Sequence, residues 1–173
     1  MKIKTFWNSI DRLNFILIFI LGLLGVLLSF TVNQSFLFIN RHTVFFILGM
    51  LIILFLSQQN NKNIRRIALF GFIILIILLL SLYFFEYEVK GSKRWLRILS
   101  FSFQPSEVVK PFFIILTSWG ISQSVKGKKY FLLVTFVSFL TLILLVLFQP
   151  DLGMTILIAS TFFCQLFIAG LPM

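Results

Sequence analysis

From Ile67 to Phe85 the chain runs nineteen residues without a charge. As a helix rising about 1.5 Å per residue, this stretch is about 28 Å long, close to the hydrocarbon thickness of a bilayer at about 30 Å. Its apolar residues fall on every face, so it is not the one-sided helix of a soluble core. Ile73 to Leu80 is an unbroken apolar octet. A membrane barrel strand needs apolar and polar residues in alternation, so strands are not expected and the bilayer is the solvent.

Five more apolar runs share this character, and the expected spans are residues 13–32, 43–57, 67–85, 105–123, 131–148 and 154–170. The second is short and can borrow residues from the loop before it. The first follows Lys2, Lys4 and Arg12, but no small-residue cleavage site follows it, so it is expected as a retained span rather than a signal peptide. Trp7 precedes it where an interfacial aromatic belongs. Over all 173 residues, 60% are hydrophobic and 12% charged, about half the charge of an ordinary soluble domain. The expected fold class is an all-α polytopic integral membrane protein with six transmembrane helices, residues 1–173 forming a single membrane domain with short connections. The net charge of +10 does not indicate nucleic acid, because the cations sit in short clusters between spans, as topogenic charges do. The single cysteine, Cys164, lies in an apolar run and has no intrachain partner for a disulfide or metal site.

The basic clusters set the expected orientation. With the N-terminus cytoplasmic, the inner side carries nine cations: Lys2, Lys4, Arg12, Lys62, Arg65, Arg66, Lys126, Lys128 and Lys129. The outer side carries six, Arg41, Lys90, Lys93, Arg94, Arg97 and Lys110. The inside holds the excess, as the positive-inside rule requires. The outer cations come mostly from one stretch, Lys90-Gly91-Ser92-Lys93-Arg94-Trp95-Leu96-Arg97. A basic cluster on the disfavoured side needs a cause other than topology.

That stretch admits three readings. It is a loop facing lipid headgroups and anchored by Trp95, or a docking surface for another membrane protein, or an anion site. In the last, Lys93, Arg94 and Arg97 hold a diphosphate, for which guanidinium and ammonium groups are suited, and Trp95 packs beside it.

Two corners share the expected outer face. Gln104-Pro105 opens the fourth span and Gln149-Pro150 precedes the sixth. Proline suits the first turn of a helix, and the carboxylates of Glu107 and Asp151 suit the positive end of a helix dipole. Glu107 and Lys110, three residues apart, can pair; they either close the top of a helix or shape a polar cavity. Asp151 reads as an N-terminal cap. Gln123 and Gln165 read as helix-end or interhelical groups, and His42 receives no role. The sequence holds no nucleotide-binding glycine loop, zinc spacing or Ser/His/Asp set, and no cofactor is evident.

Lys90-Gly91-Ser92-Lys93-Arg94-Trp95, then Phe103-Gln104-Pro105-Ser106-Glu107 with Lys110, then Gln149-Pro150-Asp151-Leu152-Gly153 resemble the SEDS family of bacterial shape, elongation, division and sporulation proteins. Its patterns are Gly-x-x-Arg-Trp, Phe-Gln-Pro-Ser-Glu-x-x-Lys and Gln-Pro-Asp-x-Gly, and all three stand here in order. Met154 and the ending Phe167-Ile168-Ala169-Gly170-Leu171-Pro172 are more similar to the division branch than to the elongation branch. The resemblance implies a bacterial inner-membrane peptidoglycan glycosyltransferase, placed at the septum, that polymerises lipid II and releases undecaprenyl diphosphate. It implies work beside a class B penicillin-binding transpeptidase and other division proteins, among membrane lipids. Carried over by position, Lys93, Arg94, Trp95, Arg97, Glu107 and Lys110 bind substrate or shape its cavity. Gln104, Pro105, Ser106, Gln149, Pro150, Asp151 and Gly153 are structural motif residues.

The resemblance covers the first part of a ten-helix fold. The catalytic aspartate proposed for the family lies in a large outer loop of the second half. It is therefore expected beyond residue 173, Asp151 is not that residue, and this stretch alone is expected to be inactive. Two other functions stay open: a transporter that flips lipid II, and a non-catalytic scaffold of the division machinery.

Overall fold

The computed structural model describes residues 11–32, 36–82, 96–98 and 101–170. These residues form six helices: α1 (Arg12–Val32), α2 (Phe36–Ser57), α3 (Asn61–Ser81), α4 (Pro105–Val125), α5 (Tyr130–Phe148) and α6 (Leu152–Ile168). Before α4 stands a small antiparallel hairpin of β1 (Leu96–Ile98) and β2 (Phe101–Phe103), with Leu96 opposite Phe103 and Ile98 opposite Phe101. Among the described residues, α1, α3, α4 and α5 are long and apolar enough to cross a membrane, while α6 and the apolar part of α2, His42–Ser57, are shorter. At 17 residues, α6 still reaches about 25 Å, the lower limit of membrane spans.

The six helices agree with the expected all-α class, and the hairpin is a small addition between them. Its cause is local: Leu96-Arg97-Ile98 and Phe101-Ser102-Phe103 alternate apolar and polar residues, the period-two pattern of a strand that the spans lack. Helix bounds also shift. The third helix begins at Asn61 rather than residue 67, because lysine and arginine are good helix formers and hydropathy marks the hydrocarbon rather than the helix. Asn40, Arg41 and His42, expected in a loop, are helical for the same reason. Residues 83–85 of the expected third span lie outside the described residues.

The chain divides into two compact units, residues 1–61 and 62–173. In the first, α1 and α2 pack together. Asp11 starts α1 by accepting from the Leu13 backbone amide at 3.1 Å and from Asn14 Nδ2 at 2.8 Å, the role of an N-cap. Phe46 lies against α1 at Gly22, where a Cβ would collide with its ring, and its centroid is 5.7 Å from that of Phe19.

The second unit is built from α3 to α6 around Phe113. This buried ring meets Phe72 of α3 at 6.3 Å, Phe139 of α5 at 6.5 Å and Phe162 of α6 at 6.3 Å. Phe139 and Phe162 stack at 4.2 Å. Lipid tails are as apolar as leucine, so helices here gain little by hiding apolar surface from one another; close packing and interhelical hydrogen bonds supply the association. Small residues permit that closeness. Gly120 of α4 lies so near Thr135 of α5 that a Cβ would overlap the threonine hydroxyl. The outer faces carry large apolar side chains, such as Phe70, Leu133, Ile156 and Phe167, a surface for lipid rather than water.

Two polar features tie the helices. On α6, Gln165 accepts from Thr117 Oγ1 at 2.7 Å, and its Nε2 donates to the Ile114 carbonyl at 3.1 Å and Ser118 Oγ at 3.0 Å, all on α4. Arg65 of α3 places its guanidinium 5.4 Å from the centre of the Trp119 ring on α4, and that ring meets Phe131 of α5 edge-on at 5.0 Å. The α4–α5 turn that follows passes through Gly127 at φ +93°, a left-handed conformation costly for a residue with a Cβ.

Candidate functional site

The chemistry-bearing residues converge at the end of the second unit where α4 and α6 both begin. The β2 strand leads directly into Gln104 and then α4. Pro105 stands in the first turn, where its missing amide hydrogen costs nothing and its fixed φ suits a helix. Pro105 and Ser106 are buried, so the entry to α4 is part of the packed structure rather than a loose loop. The Glu107 amide donates to the Gln104 carbonyl at 3.1 Å and closes the first turn.

One side chain joins this entry to the start of α6. Gln104 Nε2 donates to Ser106 Oγ at 2.9 Å and to Asp151 Oδ2 at 3.2 Å. Asp151 uses its other oxygen, Oδ1, to accept the Met154 amide at 3.1 Å, capping α6. Its carbonyl accepts the Thr155 amide and hydroxyl, at 3.0 and 2.8 Å. The two proline corners, joined by side chains 47 residues apart, are thus one structure. Gln149, just before it, is buried at 4% exposure.

Lys110 and Glu107 form an ion pair on the first turns of α4, with their side chains 21% and 54% exposed. That exposure places the pair at the rim of the unit, where an ion pair contributes at most about 1 kcal/mol. Charges within hydrocarbon cost about 2.5–3.5 kcal/mol each at a helix centre, so the helix end is the economical place for them. Glu107 also gains from the dipole of α4, and Pro111, lacking an amide hydrogen, leaves the Glu107 carbonyl without the usual helical donor. The site therefore presents a carboxylate and an ammonium beside the hairpin.

Arg97 lies in β1, paired in register with Ser102 of β2, and that pairing ties its backbone to the strand leading into Gln104. Lys93, Arg94 and Trp95 lie outside the described residues. Gly153 sits exposed in the first turn of α6, and a Cβ there would stand 3.9 Å from Asp151 Oδ1, ordinary contact. Packing among the described residues does not demand a glycine at that position. Among the described residues no cluster of three or more His, Cys, Asp or Glu side chains could hold a metal ion.

The Gln104–Asp151 link and the partners of Gln165 are what reading the sequence missed. The available signal was an amide or hydroxyl group set in an apolar helix, which must find a partner, but its partner was not deducible. A cavity of about 400 Å³ lies beside the Gln165 junction, lined in part by Ser118 and Gln165. It opens between the far ends of α4 and α6, beside Ser122, Lys126 and Ala169, and none of the motif residues lines it.

Comparison with known proteins identifies the family. The family model described as "Cell cycle protein", for FtsW, RodA and SpoVE, matches residues 4–173. A probable peptidoglycan glycosyltransferase FtsW of Caulobacter vibrioides is 32% identical over 96% of this chain and 45% of its own length. The peptidoglycan glycosyltransferase MrdB of Escherichia coli K12 is 30% identical over 97% of this chain and 46% of its own. The chain thus spans about half the length of these relatives. In a solved structure on the structural coordination of polymerization and crosslinking by a peptidoglycan synthase complex, one chain superposes with a TM-score of 0.76 at 19% identity, over 92% of this chain and 48% of that one; this likeness concerns the fold. With apolar helices of spanning length and a family match along nearly all its residues, the chain is a multi-pass membrane protein that belongs to the FtsW/RodA/SpoVE family.

Proposed function

We propose that this chain forms the first six helices of a ten-helix SEDS peptidoglycan glycosyltransferase that polymerises lipid II during septal wall synthesis. The observation that carries the reading is the polar end of the second unit at which α4 and α6 begin. There a hairpin containing Arg97, the Glu107–Lys110 pair and the Gln104–Asp151 link meet. Relatives named as peptidoglycan glycosyltransferases, aligned over 96% and 97% of this chain, support the substrate class. In this reading the N-terminus is cytoplasmic and the polar end faces outward from the bacterial inner membrane. Lys93, Arg94 and Arg97 neutralise the diphosphate of the lipid-linked sugar, as arginine and lysine do for phosphate, and Trp95 packs beside it. Lys110, oriented by Glu107, offers its remaining N–H donors at the mouth of α4. Asp151 is committed to capping α6 and to Gln104, so it does not act as the general base. The partner is a class B penicillin-binding transpeptidase, in keeping with the synthase complex whose chain shares the fold.

The test uses the full-length protein with its transpeptidase partner in liposomes supplied with lipid II. Arg94→Ala and Lys110→Ala each lower glycan yield at least tenfold. Wild-type yield from both variants overturns the assigned roles. Lipid II flipping by the wild-type protein without any polymer overturns the reaction.

A further inference from the structure

Opposite the polar end, the second unit carries a second charged surface. Lys62, Arg65 and Arg66 occupy the first two turns of α3, and Lys126, Lys128 and Lys129 the turn between α4 and α5. The Arg65–Trp119–Phe131 contacts bring the starts of α3 and α5 together against the last turns of α4. Among the described residues of this unit the acids are Glu107 and Asp151, both at the other end. The charge is thus divided along the bundle: α4 and α6 begin with carboxylates, while α3 and α5 begin with cations and have no acid in their first turns.

A cation near a helix N-terminus opposes the helix dipole. Lys129 stands at the N-cap of α5 without a side-chain cap bond. Two helix starts that carry only positive charge are both relieved by an anion, since backbone amides and cations then address the same group. Beside them a slot of about 100 Å³ runs between the helices, lined by Leu69 and Phe72 of α3, Trp119 of α4, and Phe131 and Val134 of α5. Trp119 Nε1 is buried and has no hydrogen-bond partner among the described residues, and an ester or phosphate oxygen is an acceptor it can use. Positive charge, an interfacial tryptophan and an apolar slot in sequence along one surface match a headgroup, a glycerol ester and an acyl chain.

We propose that this end of the second unit is a binding site for an anionic phospholipid. The headgroup phosphate lies among Lys62, Arg65, Arg66 and the Lys126–Lys129 turn, and one acyl chain runs into the slot beside Trp119. This inference stands independently of the polymerase reading. It requires more than a diffuse topogenic charge, because it assigns a fixed position to the acyl chain.

Two measurements on the full-length purified protein test it. In native mass spectrometry with added lipid, phosphatidylglycerol is retained at least tenfold more tightly than phosphatidylcholine. The Lys62→Gln/Arg65→Gln/Arg66→Gln variant reduces that preference below threefold while leaving phosphatidylcholine binding unchanged. In a protein with Trp7→Phe, Trp95→Phe and every tryptophan outside these 173 residues replaced by phenylalanine, so that Trp119 is the sole indole, phosphatidylglycerol brominated on its acyl chain quenches fluorescence at least threefold more than brominated phosphatidylcholine at equal concentration. Retention of the two lipids within twofold, or equal quenching by both, overturns the site. The quenching arm uses native basic residues, so it decides the matter even where the triple variant does not fold.

Discussion

Gln104 and Asp151 meet across 3.2 Å through the amide Nε2 and carboxylate Oδ2, each from the residue just before its own helix. The carboxylate is divided, one oxygen for the helix it caps and one for the neighbouring helix. Capping and interhelical attachment are therefore coupled in one side chain.

That coupling is measurable. Asp151→Ala loses the cap, about 1 kcal/mol, and a hydrogen bond to a charged acceptor, about 1.5–3 kcal/mol. Gln104→Ala loses the second together with its own bond to Ser106 Oγ. A double-mutant cycle read by unfolding in lipid nanodiscs gives a coupling of about 1 kcal/mol; additive losses would show that the contact contributes nothing.

The Gln165 junction should respond differently to one deletion and to two. Gln165→Leu removes the interhelical bonds to Thr117, Ser118 and the Ile114 carbonyl, while Thr117 keeps its bond to the Phe113 carbonyl, and costs about 1–2 kcal/mol, at about 0.6 kcal/mol for each interhelical bond in a membrane. Thr117→Val added to it costs little more, because a hydroxyl with no interhelical acceptor is replaced by an apolar group of similar shape. The check is the unfolding midpoint of the single and double variants in one detergent.

Gly120 and Gly153 should separate cleanly. Gly120→Ala drives a methyl into Thr135 and costs about 1–3 kcal/mol from overpacking; Thr135→Ala in the same chain recovers most of it. Thermal unfolding of the three variants reads this directly.

Gly153→Ala meets only ordinary contact and replaces glycine in a helix, where alanine is favoured by up to about 1 kcal/mol. Unfolding measurements should show stability unchanged or raised. Loss of glycan polymerisation at that unchanged stability would show that the motif glycine serves the approach of another molecule or segment.

Sequence reading reached some of this fold for physical reasons and missed the rest for others. The start of α4 was legible because Pro105 marks a first helical turn, and the end of α5 because Gln149-Pro150 stops it. The start of α3 was not, since Asn61 to Arg66 leave the hydrocarbon without leaving the helix. The alternation in Leu96-Arg97-Ile98 was a strand signal hidden between long spans. At the candidate site, the motif residues and the capping position of Asp151 could be read locally. Its bond to Gln104 could not, because nothing in either corner says which of several nearby helix starts faces it. The Gln165 amide posed the same problem: the need for partners was visible, and their identity was a matter of packing.

The two attachments between α4 and α6 have a mechanical consequence. One lies at Gln104, the other at Thr117 and Ser118, about 20 Å farther along a helix rising about 1.5 Å per residue. A pair of rods pinned at one point can pivot; pinned at two, it is a strut. Glu107 lies between the pins on one rod and Asp151 at the head of the other, so their spacing is held while other helices shift around them. Within the second unit, the polar tip is thereby carried as one piece by α4 and α6.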